Sequence, residues 1–203
     1  TNGGNVLFNA NSGGSDYAGG DAVYLLGQGS TISTSGGNIT IGGGAGQDGS
    51  DYAVTSNGSS DGVRFENGGG GFTMDAGGGN IIIRGKSNGG QYGIFLGSQN
   101  LITSGTGTIT IDGQTNTNMA GVYTSFLGEV TTESGNIGIT GKATGASGYG
   151  VYSENTEFTS QSGGITLTGV GGGTSNGLHL VSGTYIGTPS SGSPVASGDI
   201  SLI

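Results

Sequence analysis

Ile81, Ile109, Ile137 and Ile165 stand 28 residues apart, and each opens the same phrase, a glycine-rich turn followed by an apolar-x-apolar strand. The copies are GGNVLF at 3–8, GGNITIGG at 36–43, GGNIIIRG at 78–85, GTITIDG at 107–113, GNIGITG at 135–141, GGITLTG at 163–169 and GDISLI at 198–203. A unit this short cannot enclose its own apolar residues. A fixed period therefore means that each repeat buries them against the next, which is how solenoids fold.

Two further phrases fill each repeat. One is GVRF at 62, GIFL at 93, GVYT at 121, GVYS at 150 and GLHL at 177, with AVYL at 22 as its first instance. The other is TIST at 31, GFTM at 71, LITS at 101, EVTT at 129, EFTS at 157 and YIGT at 185. All three alternate apolar and polar residues, the period-2 pattern of a strand with one buried face. Gly 51 among 203 residues supplies the turns and, with no 3.6-residue stripe, excludes helix. Only 8% of the residues are charged and Pro is 2, unlike a disordered chain.

The chain is accordingly expected to be all-β: a single right-handed, single-stranded parallel β-helix over 1–203, with three short strands per coil and about six coils. Three inward columns follow. They are Ile39, Ile81, Ile109, Ile137, Ile165; then Val23, Val63, Ile94, Val122, Val151, Leu178; and Ile32, Phe72, Ile102, Val130, Phe158, Ile186. Asn5, Asn38, Asn80 and Asn136 precede the first strand and are positioned for a side-chain amide ladder. The period breaks twice, placing surface insertions near 42–61 and 187–197, the second containing Pro189 and Pro194.

A formal charge of −9 with Lys+Arg 4 leaves no basic surface for nucleic acid or anionic membrane. No stretch approaches the roughly 20 apolar residues of a membrane helix. Cys 0 removes disulfides and thiolate metal sites. Nucleophilic catalysis lacks its parts, since His179 is the single histidine and there is no G-x-S-x-G turn.

Three features carry chemistry. Glu129 and Glu157 lie one period apart, which puts both carboxylates on one outer face at a spacing that suits a retaining glycosidase or a divalent cation; two like charges on adjacent strands of a structural surface are the simpler reading. The stretch GGAGQDGSD at 43–51, with Asp48 and Asp51, resembles the calcium-binding nonapeptide of secreted β-rolls, although Ser50 occupies its apolar position and a flexible loop accounts for it as well. The outward position of the second strand reads Tyr24, Arg64, Phe95, Tyr123, Tyr152 and His179, an aromatic column suited to a glycan or protein contact, or to sheet stabilisation alone. An outward column of Ser33, Thr73, Thr103, Thr131 and Thr159 leaves ice binding as a lesser alternative.

The phrases SGNIGITG, SGGITLTG and TSGTGTITIDG, alternating with GVYS and GVYT, resemble the repeats of filamentous-haemagglutinin-type exoproteins and autotransporter passengers. The resemblance covers nearly the whole chain through repeat style and transfers no functional residue. It implies a secreted or cell-surface bacterial protein displayed as an adhesin or fibre. The expectation is a structural or adhesive module, not an enzyme and without a cofactor. Its partners would be neighbouring coils, end-to-end copies of itself, or a surface glycan or receptor. The alternative is a β-helix polysaccharide-active enzyme or glycan-binding domain.

Overall fold

A computed structural model describes residues 2–11, 16–97, 99–187 and 198–203, with backbone alone for Asn67 and Leu127. The chain is all-β and winds as a parallel β-solenoid of about 5 turns, about 28 residues each. The insertion expected at 187–197, with Pro189 and Pro194, lies from 188 onward outside the described residues.

One face of the coil is built from the first phrase: β1 (Val6–Ala10), β4 (Ile39–Gly43), β8 (Ile81–Ser87), β11 (Ile109–Thr115), β13 (Ile137–Ala143), β15 (Ile165–Val170) and β18 (Ile200–Leu202), each parallel to the next. The second phrase forms β2 (Val23–Gly27), β6 (Val63–Asn67), β9 (Ile94–Leu96) and β16 (Leu178–Val181), and the third forms β3 (Ser30–Ser33), β7 (Phe72–Asp75), β10 (Asn100–Thr103) and β17 (Tyr185–Gly187). Between them, the second and third phrases fuse into single strands, β12 (Val122–Thr132) and β14 (Val151–Ser160). β12 takes one extra residue between Ser125 and Gly128, a bulge that leaves Phe126 at φ 51 and 50% exposed.

The first two inward columns are in the expected register, from Val6↔Ile39 to Ile165↔Ile200 and from Val23↔Val63 to Val151↔Leu178. The residues two further along, Ile41, Ile83, Ile111, Ile139 and Leu167, form a parallel stack, and all are at most 1% exposed. Each such side chain contributes about 1.5–3 kcal/mol by leaving water. The third column differs from expectation: Met74, not Phe72, pairs with Ile32 and Ile102. The corner between β6 and β7 is longer than its counterpart between β9 and β10, and the strand slides by two. A two-residue slip preserves which face is buried, so Phe72 is still inside, against Phe65 at 5.4 Å between ring centroids. The same slip breaks the threonine column. Asp75 stands between Ser33 and Thr103, Thr73 lies with Thr31 and Leu101, and Thr159 is buried, so the expected outward column is interrupted.

Side-chain ladders hold the corners. Asn5 Oδ1 accepts from the Asn38 amide at 2.8 Å, Asn38 Oδ1 from Asn80 at 2.9 Å, Asn80 Oδ1 from Thr108 at 2.9 Å, and Asn136 Oδ1 from Gly164 at 2.8 Å. In the same corner the buried hydroxyls of Thr34, Ser104 and Thr132 donate to the carbonyls of Gly37, Gly107 and Gly135. These bonds supply partners for backbone oxygens that turn away from the sheet.

The insertion expected at 42–61 is shorter than that and ordered. β5 (Ala53–Thr55) rejoins the sheet on β8, pairing Ala53 with Gly85 and Thr55 with Ser87. What protrudes is a hairpin closed by paired amide–carbonyl bonds between Gly43 and Asp51 at 2.9 and 3.2 Å. It is pinned to the sheet face by Asn9, whose carboxamide bonds Gly44 and Gly49, and by Tyr52, whose hydroxyl donates to Asp112 and accepts from Gln114.

Candidate functional site

The second strand alternates inward aliphatics with outward rings, and parallel stacking puts those rings one above another on the outside. The register Tyr24↔Arg64, Arg64↔Phe95, Phe95↔Tyr123, Tyr123↔Tyr152 and Tyr152↔His179 is as the spacing implied. Contact follows from register. Phe95 and Tyr123 are 5.5 Å apart, Tyr123 and Tyr152 meet edge-on at 5.1 Å, and Tyr152 stacks on His179 at 4.9 Å.

Two further rings complete the strip. Tyr92 stacks on Tyr123 at 4.7 Å, and Tyr149 packs on Tyr152 at 5.4 Å and on His179 at 4.6 Å. Sequence reasoning missed both. The available signal was the tyrosine before the glycine that opens the phrase, in YGIFL and YGVYS. That position is itself a column: the amides of Gly62, Gly93, Gly121 and Gly150 bond the carbonyls of Tyr92, Ala120, Tyr149 and Asn176 in turn. Ala120 therefore sits between the two tyrosines, where a ring is missing. A cleft of about 240 Å³ occupies the gap, lined by Tyr92, Tyr123, Tyr149 and Tyr152 with Asn118, Met119 and Ala120. Burial among its neighbours pushes the Tyr92 hydroxyl up to about 12 and raises that of Tyr152, so both phenols stay protonated at neutral pH.

At its amino-terminal end the strip is locked by charge. The Arg64 guanidinium lies 4.4 Å above the Phe95 ring, bonds Asp61 Oδ2 at 2.7 Å, and bonds both Glu66 oxygens at 3.2 and 3.3 Å. The Tyr24 hydroxyl donates to Glu66 at 2.7 Å. Asp61 is fully buried and also accepts the Tyr92 amide at 2.8 Å. Burial pushes the Asp61 carboxyl up to about 6, against the opposing pull of that amide and of Arg64. Burial also disfavours the Arg64 charge, but the bonds to Glu66 and Asp61 outweigh it and hold the guanidinium above its ordinary pKa. Arg64 is thus a fixed platform for the aromatic stack.

The carboxylate candidates lie elsewhere. Glu129 and Glu157 are register partners on the outer face of the third strand, both exposed, beside a shallow depression shared with Gly128, Asn155 and Gly183. No basic residue lines that depression. Asp48 is engaged by its own turn, accepting the Ser50 amide at 3.0 Å and hydroxyl at 2.6 Å, bonds that hold its carboxyl below the usual range. Asp51 is paired through its backbone to Gly43. Among the described residues no group of three His, Cys, Asp or Glu side chains is placed to hold a metal ion. No helix of the described residues is long and apolar enough to cross a membrane.

Comparison with protein-family models, with curated proteins and with solved structures finds no match to this chain.

Proposed function

We propose that the chain is a non-catalytic structural and adhesive module of a secreted or cell-surface protein, a stiff rod section whose working surface is the aromatic strip on the second strand. One observation carries this reading: five of the eight tyrosines, Tyr24, Tyr92, Tyr123, Tyr149 and Tyr152, lie on this one outward strip. Rings held at fixed spacing on a rigid support suit repeated weak contacts, and the resemblance of the repeats to haemagglutinin-type exoproteins favours the same reading. The test is adhesion of protein-coated beads to epithelial monolayers and mucin-coated surfaces. Tyr123→Ala with Tyr152→Ala should abolish retention at unchanged circular dichroism. Release of reducing ends from a polysaccharide panel, lost in Glu129→Gln, would instead establish an enzyme.

A further inference from the structure

From the notch at Ala120 we infer the chemical class of ligand that the strip takes: the cleft between Tyr92 and Tyr149 is a subsite for one neutral saccharide ring. This inference rests on the adhesive reading and names its ligand. Spacing sets the size of what can enter. Tyr92 and Tyr149 are two coils apart in one column, about 10 Å at about 4.8 Å per coil. A ring sandwiched between two others at van der Waals distance needs about 7–8 Å. The backbone spacing therefore leaves room for one ring at the level of the coil between them, and a side chain larger than alanine at 120 would fill it.

The lining selects the ligand. The lining is mostly aromatic, Tyr92, Tyr123, Tyr149 and Tyr152, with Met119 and Ala120 adding apolar surface. Such walls take the axial C–H face of a pyranose, which is apolar while the ring's edge is not. The rim is polar. Asn118 Oδ1 accepts the Ser147 amide at 3.2 Å, which anchors the carboxamide and leaves its N–H groups to donate to a sugar hydroxyl. Phenols that remain protonated offer further donors to the same edge. No Lys or Arg lines the cleft, and the chain carries a formal charge of −9, so uronic or sialic acids are disfavoured. A small quaternary cation also suits aromatic walls. The apolar Met119 side and the hydrogen-bonding rim match a saccharide better, because a trimethylammonium group has no donor or acceptor to place there.

The experiment is titration of the whole chain, followed by tyrosine fluorescence and by NMR, with neutral tetrasaccharides of β-linked glucose, β-linked N-acetylglucosamine and α-linked mannose, and with choline chloride. Tyrosine fluorescence is clean here because the chain has Trp 0. At least one tetrasaccharide should saturate the signal and shift the Tyr92, Asn118 and Tyr149 resonances. Ala120→Tyr should remove that saturation at unchanged circular dichroism, and Tyr149→Ala should weaken it at least tenfold, so that the conclusion does not hang on one variant folding. The inference is overturned if choline saturates and no tetrasaccharide does, if nothing saturates at tens of millimolar, or if both variants bind as the parent does. Should bead adhesion persist in a variant that has lost saccharide binding, the ligand assignment stands and the adhesive reading of this subsite falls. Adhesion by a parent chain that binds no tetrasaccharide would do the reverse.

Discussion

Two glycines of one strand should respond oppositely to the same substitution. In β13, Gly138 points outward between Thr110 and Thr166, with nothing within 4 Å of where a Cβ would stand. Three residues on, Gly141 faces the start of the second strand. A Cβ there would overlap the Gly150 carbonyl and lie 2.8 Å from Val151 Cγ2. Gly85, Gly113 and Gly169 repeat this, with 2.8, 2.7 and 2.7 Å to Ile94, Val122 and Leu178. Relieving the overlap means moving strands apart by about 1 Å towards ordinary contact at 3.5–4.0 Å. The Gly150 carbonyl cannot yield cheaply, because it accepts the Val122 amide at 3.1 Å and so opens the ladder between β12 and β14. Gly141→Ala should therefore cost about 3 kcal/mol or more, the upper part of the overpacking range. Gly138→Ala should add about 0.4–1 kcal/mol by restricting the unfolded chain. At about 2–4 °C per kcal/mol for a chain of this size, thermal melting should fall by at least about 6 °C in the first variant and rise by about 1–4 °C in the second. Hydrogen exchange in Gly141→Ala should accelerate first in β11, β13 and β15, since a coil is coupled mainly to its neighbours. Equal melting of Gly141→Ala and the parent would refute the close approach as the cause, and with it the steric reason for glycine after each Ile-x-Ile.

The remaining expectations concern core, charge and hairpin. Ile111→Ala empties a fully buried site in mid-rod and should cost about 2–5 kcal/mol in urea unfolding. Asp61 has its carboxyl raised to about 6 in the fold. The native state therefore holds more protons than the unfolded one between the ordinary value and that figure, and stability should fall by about 3 kcal/mol as pH rises from about 4 through 6. Asp61→Asn should flatten that part of the pH–stability curve, and an unchanged slope would count against the assignment. Tyr52→Phe removes the hydroxyl bonded to Asp112 and Gln114. It should cost about 1.5–3 kcal/mol, with exchange at 43–51 rising by more than at β13.

The legibility of this fold comes from period and parity. Ile81 to Ile165 could be stacked from sequence because they keep one 28-residue period, and Ile39 and the column from Val23 to Leu178 because the phrase around each is recognisable at unequal spacing. Phe72 was misplaced because the corner before it is longer, and alternation cannot detect a slip of two. The hairpin at 43–51 looked like a larger loop because Ala53-Val54-Thr55 is too short to announce a strand until β8 is there to pair with it. At the candidate site, register delivered Phe95, Tyr123, Tyr152 and His179. Tyr92 and Tyr149 escaped because they precede the strands and belong to a corner column whose other members are Asp61, Ala120 and Asn176. A column of unlike residues has no periodic signature.

That unlike column separates what folding requires from what it merely permits. The outward column of the first sheet, Leu7, Thr40, Ile82, Thr110, Gly138, Thr166 and Ser201, shows that this coil stacks without aromatic residues. Rings on the second strand do add stability, roughly 0.2–1 kcal/mol per cross-strand pair. If that were their whole purpose, alanine would be the wrong residue at 120, where a ring would touch both Tyr92 and Tyr149. Ala120→Tyr should then raise stability by about 0.5–1.5 kcal/mol through stacking of the new ring on its neighbours, while closing the cleft. A more stable variant that no longer adheres would mean that the notch is kept at a cost in stability, as expected of a binding site. A less stable variant would mean that position 120 is small for packing reasons, and the cleft would be a by-product of the fold.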